Sequence, residues 1–459
     1  MTSTLTMRTA ATPARPGLRW SIALLVSTAI AISYLDRQTL PWAIKVIQAD
    51  IPFSNEMKAG LDSAFLFTYG LMYIGGGWLL DRLGTRTGFL VIMIFWSLAC
   101  ASHGLAGGVV MLAASRLLLG MGEGGGFPAA TRAVAEWFPA SDRATAMGII
   151  NAGTAVGAVV APPLIALVLA EAGWLGLAPW RWVFFLTGGL GLLWTVWWWW
   201  SYHTPEFLEA GSEFQSLQEQ TTPALTPTLS PRRGGKPIGQ LPLNDSTGQD
   251  PRTVITLSGL LRHRETWAVV GAKFLSDGAW YFYLFWLPKY LFEAFHLDIK
   301  TAGAIGWIPY AASGVGSLVG GGFSSWLLKR GHSVNAARKL ALGASAALMP
   351  WVMLVPQLHS VGWVIFLFSL AFFGQQSWST LVMILPTDLI SRQAVGTLAG
   401  LVGFGGAMGG VLLGQVVGWL RDHGYSYTPA LVISGSLHLA AFGLICLVIP
   451  KVQKIKFNP

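Results

Sequence analysis

Charge is what this chain has least of. Asp, Glu, Lys and Arg together make up 11% of its 459 residues, against roughly 25% in a soluble domain. So little charge cannot cover a water-soluble protein of this length, and that class is excluded. Cysteine is almost absent: Cys100 and Cys446 both lie in apolar runs, so no disulfide framework holds the chain. The 8 histidines sit mostly in loops or at the ends of apolar runs, with His438 inside one. None has the company a metal site needs, so no metal is expected. There is no P-loop and no nucleophile elbow. ATP-driven transport and hydrolase activity therefore lack their residues, and no enzyme is expected. A net charge of +9 would suit nucleic acid, but the basic residues are scattered through loops between apolar runs. No nucleic-acid partner is expected.

What is plentiful points to lipid. The chain is 53% hydrophobic, with 55 glycines and 22 tryptophans. Apolar runs of roughly 20 residues recur, the length that crosses a bilayer as a helix, and glycine permits close helix contact there. The expected class is an all-α polytopic membrane protein. Twelve transmembrane helices are expected near 19–42, 60–80, 87–106, 108–134, 143–170, 181–202, 266–292, 301–328, 338–356, 361–387, 394–420 and 428–449. The first is preceded by Arg8, Arg15 and Arg19 and followed by no small-residue cleavage site. It is too long for a signal-peptide core, so it reads as a retained span.

The domains follow: 1–202 and 266–459 as six-helix bundles, and 203–265 as a polar linker. The linker opens with Glu206, Glu209, Glu213 and Glu219 and becomes TTPALTPTLSPRRGGKPIG, too poor in apolar surface to fold. Segments on the N-terminal side of the membrane hold 21 of the 30 Lys and Arg residues, and the opposite loops hold 6 (Lys45, Lys58, Arg181, Lys289, Lys300 and Arg421). The positive-inside rule then places both termini in the cytoplasm. The bundles echo one another. GGG closes both the second and the eighth span, at 75–77 and 320–322, and Arg143 to Gly157–Ala158 matches Arg392 to Gly406–Ala407 in spacing. Two six-helix pseudo-repeats are a transporter signature, with the substrate site between them.

Once the loop charges are set aside, Arg37, Arg116 and Lys273 remain inside spans with Asp36, Glu123 and Asp277. Each costs roughly 2.5–3.5 kcal/mol at mid-membrane. Six unpaired would cost about 15–20 kcal/mol, more than the roughly 5–15 kcal/mol stability of a whole protein. Ion pairs around a wet internal cavity are expected instead. Arg116 and Glu123 are seven apart and share a helix face. Lys273 and Asp277 are four apart and can pair directly as an internal ion pair. Asp36 and Arg37 are adjacent and diverge by about 100°, so they need different partners. Burial disfavours a carboxylate's charge and a nearby arginine favours it. A group so balanced can load and release a proton as its partner comes and goes.

GQQSWSTL at 374–381 puts Gln375, Gln376, Ser377 and Trp378 mid-span. Amides beside an aromatic platform suit hydroxylated ligands. Asn151 and Thr154 are candidates for the same cavity, as are Trp280 and Tyr283 from AWYFYLFW at 279–286. Helix–helix hydrogen bonding is the alternative role for these polar side chains. WWWW at 197–200 reads as an interfacial belt.

GGGWLLDRLGTRTG at 75–88 resembles the signature loop of the major facilitator superfamily, through Gly77, Asp81, Arg82, Gly84 and Arg86. The resemblance implies a conformational latch, with Asp81 meeting the start of the eleventh helix. YLDR at 34–37, the stretch 116–164 and KFLSDGAWYFYLFWLPKYL at 273–291 resemble the superfamily's anion:cation symporter branch, closest to bacterial hexuronate and aldonate (galactonate-type) transporters. The likeness covers all twelve spans and fails in the Pro-rich linker. It implies the major facilitator fold, with Arg37 and Tyr69 on the substrate, Asp36 and Glu123 as the protonatable pair, and Arg116 as their internal partner. The function it implies is proton-coupled symport of sugar-acid monoanions, hexuronates first, across a bacterial inner membrane by a monomer. Protons are the coupling ion and no cofactor is needed. The alternatives are another organic anion in the same fold (aldonate, aldarate or aromatic carboxylate) and a membrane sensor that binds without transporting.

Overall fold

The computed structural model describes residues 16–138, 142–203, 257–390 and 394–455. Most of the linker, with its expected disorder, lies outside them. So do Arg392 and the side chain of Asp81, and with them the expected latch contact.

The described residues form helices and no strand. Helix α1 spans Pro16–Asp50 and passes through Pro41. It runs eight residues beyond the expected end at 42, because Ala43, Ile44, Ile47 and Ile51 continue its buried stripe. A helix over Asn55–Ser102 turns at Gly84, whose φ of 72° is left-handed. Its arms, 55–83 and 85–102, are α2 and α3. Ser54 caps it, its Oγ accepting the Met57 amide at 3.1 Å. The chain therefore becomes helical five residues before the expected start at 60.

Helix α4 comprises Val109–Glu123 and Gly126–Trp137, broken at two glycines. Arg143–Glu171 is α5 and Pro179–Ser201 is α6. Arg264–Ala294 is α7. Ile299–Gly306 and Ile308–Lys329 together make α8. Val334–Ala347, continued by a 3-10 stretch over Met349–Gln357, is α9. Val361–Leu389 is α10, Val395–Asp422 is α11 and Thr428–Val448 is α12. Among the described residues these make twelve rods, as the sequence predicts.

Eight of the twelve are long and apolar enough to cross a membrane by length and composition alone. The other four are α2, α4, α7 and α8. Helices α4 and α8 are each broken, and α2, α4 and α7 carry buried charges. Breaks and buried charges lower the apolar score of these four, while α1 passes although it carries Asp36 and Arg37.

Packing repeats between the bundles. In the first, α1 lies on α5, α2 on α4 and α3 on α6; in the second, α7 lies on α11, α8 on α10 and α9 on α12. A side chain cannot enter the α1–α5 seam: a methyl on Gly157 would stand 2.1 Å from the Ala31 carbonyl. Across the bundles α2 meets α11, α5 meets α8 and α1 meets α7.

These cross-bundle contacts gather at one end of the molecule. The Asn55 and Glu56 amides donate to the Asp422 carboxylate at 2.8 and 2.7 Å. Lys289 donates to Gln48 at 3.0 Å and also to Asn55. Trp42 fills the space over Gly306. At the other end, which carries Gly84, Trp78 is 59% exposed. The face of α5 turned toward α8 goes from exposed at Asn151 to buried at Ala158 and Ala166. The bundles meet closely at one end; toward the other, α2 and α11 still touch at Tyr73 and Gly403, while α5 draws away from α8 toward Asn151.

Candidate functional site

The site begins with Arg37, mid-length in α1 and only 2% exposed. Its Nη2 and Nε donate to Glu123 Oε2 at 2.8 and 3.2 Å. Ser33, one turn earlier, donates to the same oxygen at 2.7 Å. Glu123 ends the first segment of α4, where the glycine break begins. The guanidinium lies 4.6 Å from the ring centres of both Tyr34 and Tyr69 and 5.3 Å from that of Phe65. Aromatic faces hold a cation without quenching its hydrogen bonding. Tyr69 therefore touches Arg37, and its hydroxyl reaches Tyr73 at 3.4 Å.

Asp36 points elsewhere, as its 100° offset requires. It is fully buried within the first bundle, and neither carboxylate oxygen makes a well-formed hydrogen bond. The Cys100 thiol, the Thr187 hydroxyl and the Trp96 indole are the polar groups beside it. Among the described residues no cation pairs with it.

Arg116 does not bond to Asp36 or Glu123. Its Nη2 lies 3.5 Å from Asp62 Oδ1, and none of its nitrogens makes a hydrogen bond. Asp62 Oδ2 is held by Lys58 Nζ at 2.6 Å, and Lys58 stands 4.1 Å over the Trp286 ring of the other bundle. The set of six intramembrane charges is thus incomplete: Lys58, Asp62 and Lys289 are buried as well. Lys58 and Lys289 read as loop charges because they lie near helix ends. The signal that finds them is the (i, i+4) spacing of Lys58–Asp62 and Lys289–Glu293, both of which pair.

In the second bundle Lys273 Nζ donates to Asp277 Oδ1 at 2.9 Å and to Ser379 Oγ at 2.7 Å. Gln375 Nε2 donates to the same Asp277 oxygen at 3.2 Å, and Gln375 Oε1 is bonded by His438 Nε2. Both ends of the Gln375 amide are therefore taken. Gln376 is half-buried. Ser377 Oγ donates to the Gly316 carbonyl at 2.7 Å and ties α10 to α8. Trp378 is buried edge-on to His438 at 5.5 Å. Trp280 packs on Phe372 at 5.3 Å, and Tyr283 lies between Phe368 and Phe372. Ser377, Trp378, Trp280 and Tyr283 thus turn into the second bundle, whereas Tyr281 stands over Gly410 beside Leu66 of the first bundle, with Asp277 one turn before it on the same helix face. Asn151 is exposed at the parted end, and its carbonyl accepts from Thr154 Oγ1 at 2.7 Å.

Of the signature loop, Arg82 stacks on Trp78 at 4.2 Å, and Arg86 donates to the Trp199 carbonyl at 2.8 Å. Gly84 makes the turn, and Gly77 has no neighbour where a side chain would stand. Among the described residues no three His, Cys, Asp or Glu side chains stand close enough to share a metal ion. A groove of about 640 Å³ lies between α5 and α6, lined by Leu164, Val168, Leu190 and Leu193. Its walls are mostly apolar and suit hydrocarbon, and Thr187, one of the groups beside Asp36, also lines it.

The centre can therefore do one exchange well. Arg37 holds an acid now and can hold a different one if Glu123 is neutralised. A buried carboxylate that loses its cation must take up a proton, since an unpaired charge in low dielectric is costly.

Comparison with known proteins agrees with this picture. Residues 26–414 match the model of the Major Facilitator Superfamily. A D-galactonate transporter of Escherichia coli is 30% identical over 439 residues, covering 95% of this chain and 97% of its own length. A hexuronate transporter of Escherichia coli is 27% identical over 408 residues, 88% of each chain. The solved inward-open xylose transporter of Escherichia coli shares the fold, with a TM-score of 0.69 and 12% identity over 96% of both chains. These relatives and this fold are those of a multi-pass membrane transporter, not of an enzyme. The chain belongs to the Major Facilitator Superfamily.

Proposed function

We propose that the protein carries sugar-acid monoanions, hexuronates or aldonates, together with protons across a bacterial inner membrane, both termini being cytoplasmic. The carrying observation is the buried Arg37–Glu123 pair at 2.8 Å, facing the junction of the bundles. Named relatives that move galactonate and hexuronate support the choice of cargo. The galactonate relative matches more of the chain, which favours an aldonate as the second reading.

The cycle runs as follows. A proton on Glu123 frees Arg37, which then clasps the substrate carboxylate. Asp36, buried with no cation beside it, carries the second protonatable site. Loading removes the charge separation inside the first bundle, and the bundles rock past each other about the Arg37 centre. The conformation here, joined at the end with Asp422 and parted at the end with Gly84, then corresponds to a carrier open to the cytoplasm. Release of substrate and protons restores the Arg37–Glu123 bond. The membrane potential contributes roughly 2.3 kcal/mol per net charge per 100 mV.

The test is uptake into proteoliposomes driven by an imposed proton gradient, with glucuronate, galacturonate, galactonate and an aromatic acid as competitors. Gradient-dependent accumulation blocked by sugar acids supports the proposal. Binding without accumulation would make the protein a sensor, and uptake blocked by the aromatic acid alone would reassign the cargo.

A further inference from the structure

Asp277 stands mid-length in α7, on the side of the second bundle that meets the first. Its Oδ1 is occupied by Lys273 Nζ at 2.9 Å and Gln375 Nε2 at 3.2 Å. Both donors are fixed from behind. Lys273 also donates to Ser379 at 2.7 Å. Gln375 Oε1 accepts from His438 Nε2, and the His438 ring is held edge-on against Trp378. An amide oxygen can only accept, so His438 carries its proton on Nε2. Turning Gln375 over would set NH2 against N–H and a carbonyl against a carboxylate. The chain of bonds therefore has one direction, ending on Asp277.

Oδ2 of Asp277 is treated differently. No hydrogen bond reaches it among the described residues, yet it is not sealed in. The side chain keeps 9% exposure. It packs against the bare backbone of Gly406 in α11, where a methyl would come within 2.3 Å. One turn along α7 on the same face, Tyr281 stands over Gly410 of α11 beside Leu66 of the first bundle, and Phe285 further along packs on Phe65.

We infer that Asp277 Oδ2 is a hydroxyl acceptor of the substrate site, with Lys273 and Gln375 holding the carboxylate and His438 positioning Gln375. The inference deepens the sugar-acid proposal and rests on it. A sugar acid brings one carboxylate for Arg37 and a row of hydroxyls. Each hydroxyl needs an acceptor once it is stripped of water. An ionised carboxylate is among the strongest acceptors available. The same negative charge opposes a second carboxylate, so it selects by repulsion as well as attraction. The site thus favours polyhydroxylated monoanions over dianions and over acids without hydroxyls.

The experiment measures competition by galactonate, galactarate and hexanoate in proteoliposomes holding the full chain. In the unmodified protein galactonate should compete best. Asp277→Asn should weaken galactonate roughly tenfold, leave hexanoate unchanged and move the galactarate-to-galactonate ratio toward galactarate. Gln375→Leu should shift the ratio in the same direction by less, because it acts only through Asp277. Should the single variant fail to insert, Lys273→Gln with Asp277→Asn removes both charges together and asks the same question. An equal loss for all three acids, or no change in any ratio, would overturn the assignment of Asp277. If the unmodified protein recognises none of the three, the sugar-acid proposal itself falls.

Discussion

The two bundles have the same helix pairing and opposite electrostatic habits. In the second, Lys273, Asp277 and Gln375 are knit together, each with a partner. In the first, both oxygens of Asp36, Oε1 of Glu123, Oδ1 of Asp62 and all three nitrogens of Arg116 are buried without a hydrogen bond. Buried polar groups are normally satisfied, and exceptions call for a reason. On the proposed cycle, the charge that changes partners or protonation is the one in the first bundle, where the unbonded groups are mostly ionisable. The second offers a set surface against which it works.

The strongest way to break this comparison is to remove its mobile cation. Arg37→Ala strips Glu123 of its partner and the substrate of its clamp. Losing one side of a buried pair costs about 3–5 kcal/mol, so galactonate affinity should fall by at least ~100-fold in equilibrium binding. Normal affinity would remove Arg37 from the site.

Glu123→Gln separates coupling from carriage. Exchange of labelled substrate across proteoliposomes should persist, while accumulation driven by an inward proton gradient disappears. Retained accumulation would move the coupling proton elsewhere.

Stability sharpens the contrast between the bundles. Asp277→Asn leaves Lys273 buried without its counter-ion and should destabilise by about 3–5 kcal/mol. Among the described residues Asp36 has no cation beside it, so the buried acid is neutral by the same argument; Asp36→Asn exchanges one neutral polar group for another and should change stability by less than about 1 kcal/mol. Thermal unfolding in one detergent compares the two directly, and equal losses would contradict the asymmetry.

The smallest effect is expected at the joined end. Asp422→Ala removes an acceptor of three solvent-exposed bonds from Asn55 and Glu56, together worth about 1 kcal/mol in that exposed setting. The partition should shift toward the opposite-facing state, raising labelling of a cysteine placed at residue 63 in α2, where Ser63 Oγ now accepts from Gln415 Nε2 of α11 at 2.9 Å. No change in labelling would show that these bonds do not hold the seal.

Much of this architecture is legible in the sequence, for physical reasons. A span needs a long apolar run, so eight of the twelve helices announce themselves by length and composition, and the other four show through shorter apolar runs between their charges and breaks. Lys273 and Asp277 are read as a pair because helix geometry alone sets four-residue neighbours. What stays hidden depends on direction in space. Trp280, Tyr283, Ser377 and Trp378 sit mid-span like the residues around Arg37, but their helix faces turn into the second bundle. Nothing local distinguishes the two faces of a helix that is apolar all round. Lys58 reads as a loop charge because α2 starts at Asn55, five residues before the apolar run, and Lys289 because it stands near the end of the 266–292 run although α7 continues to Ala294. Asp62 lies inside an expected span, and only the fold shows that Arg116 stands 3.5 Å from it.

The central claim is that substrate replaces Glu123 on Arg37 and that Glu123 then takes a proton. Binding of galactonate to the detergent-solubilised protein, followed by calorimetry in buffers of different ionisation heat, counts that proton. The account predicts net proton uptake on binding near neutral pH, reduced in Glu123→Gln. Binding with no proton uptake, or uptake unchanged in Glu123→Gln, would contradict it.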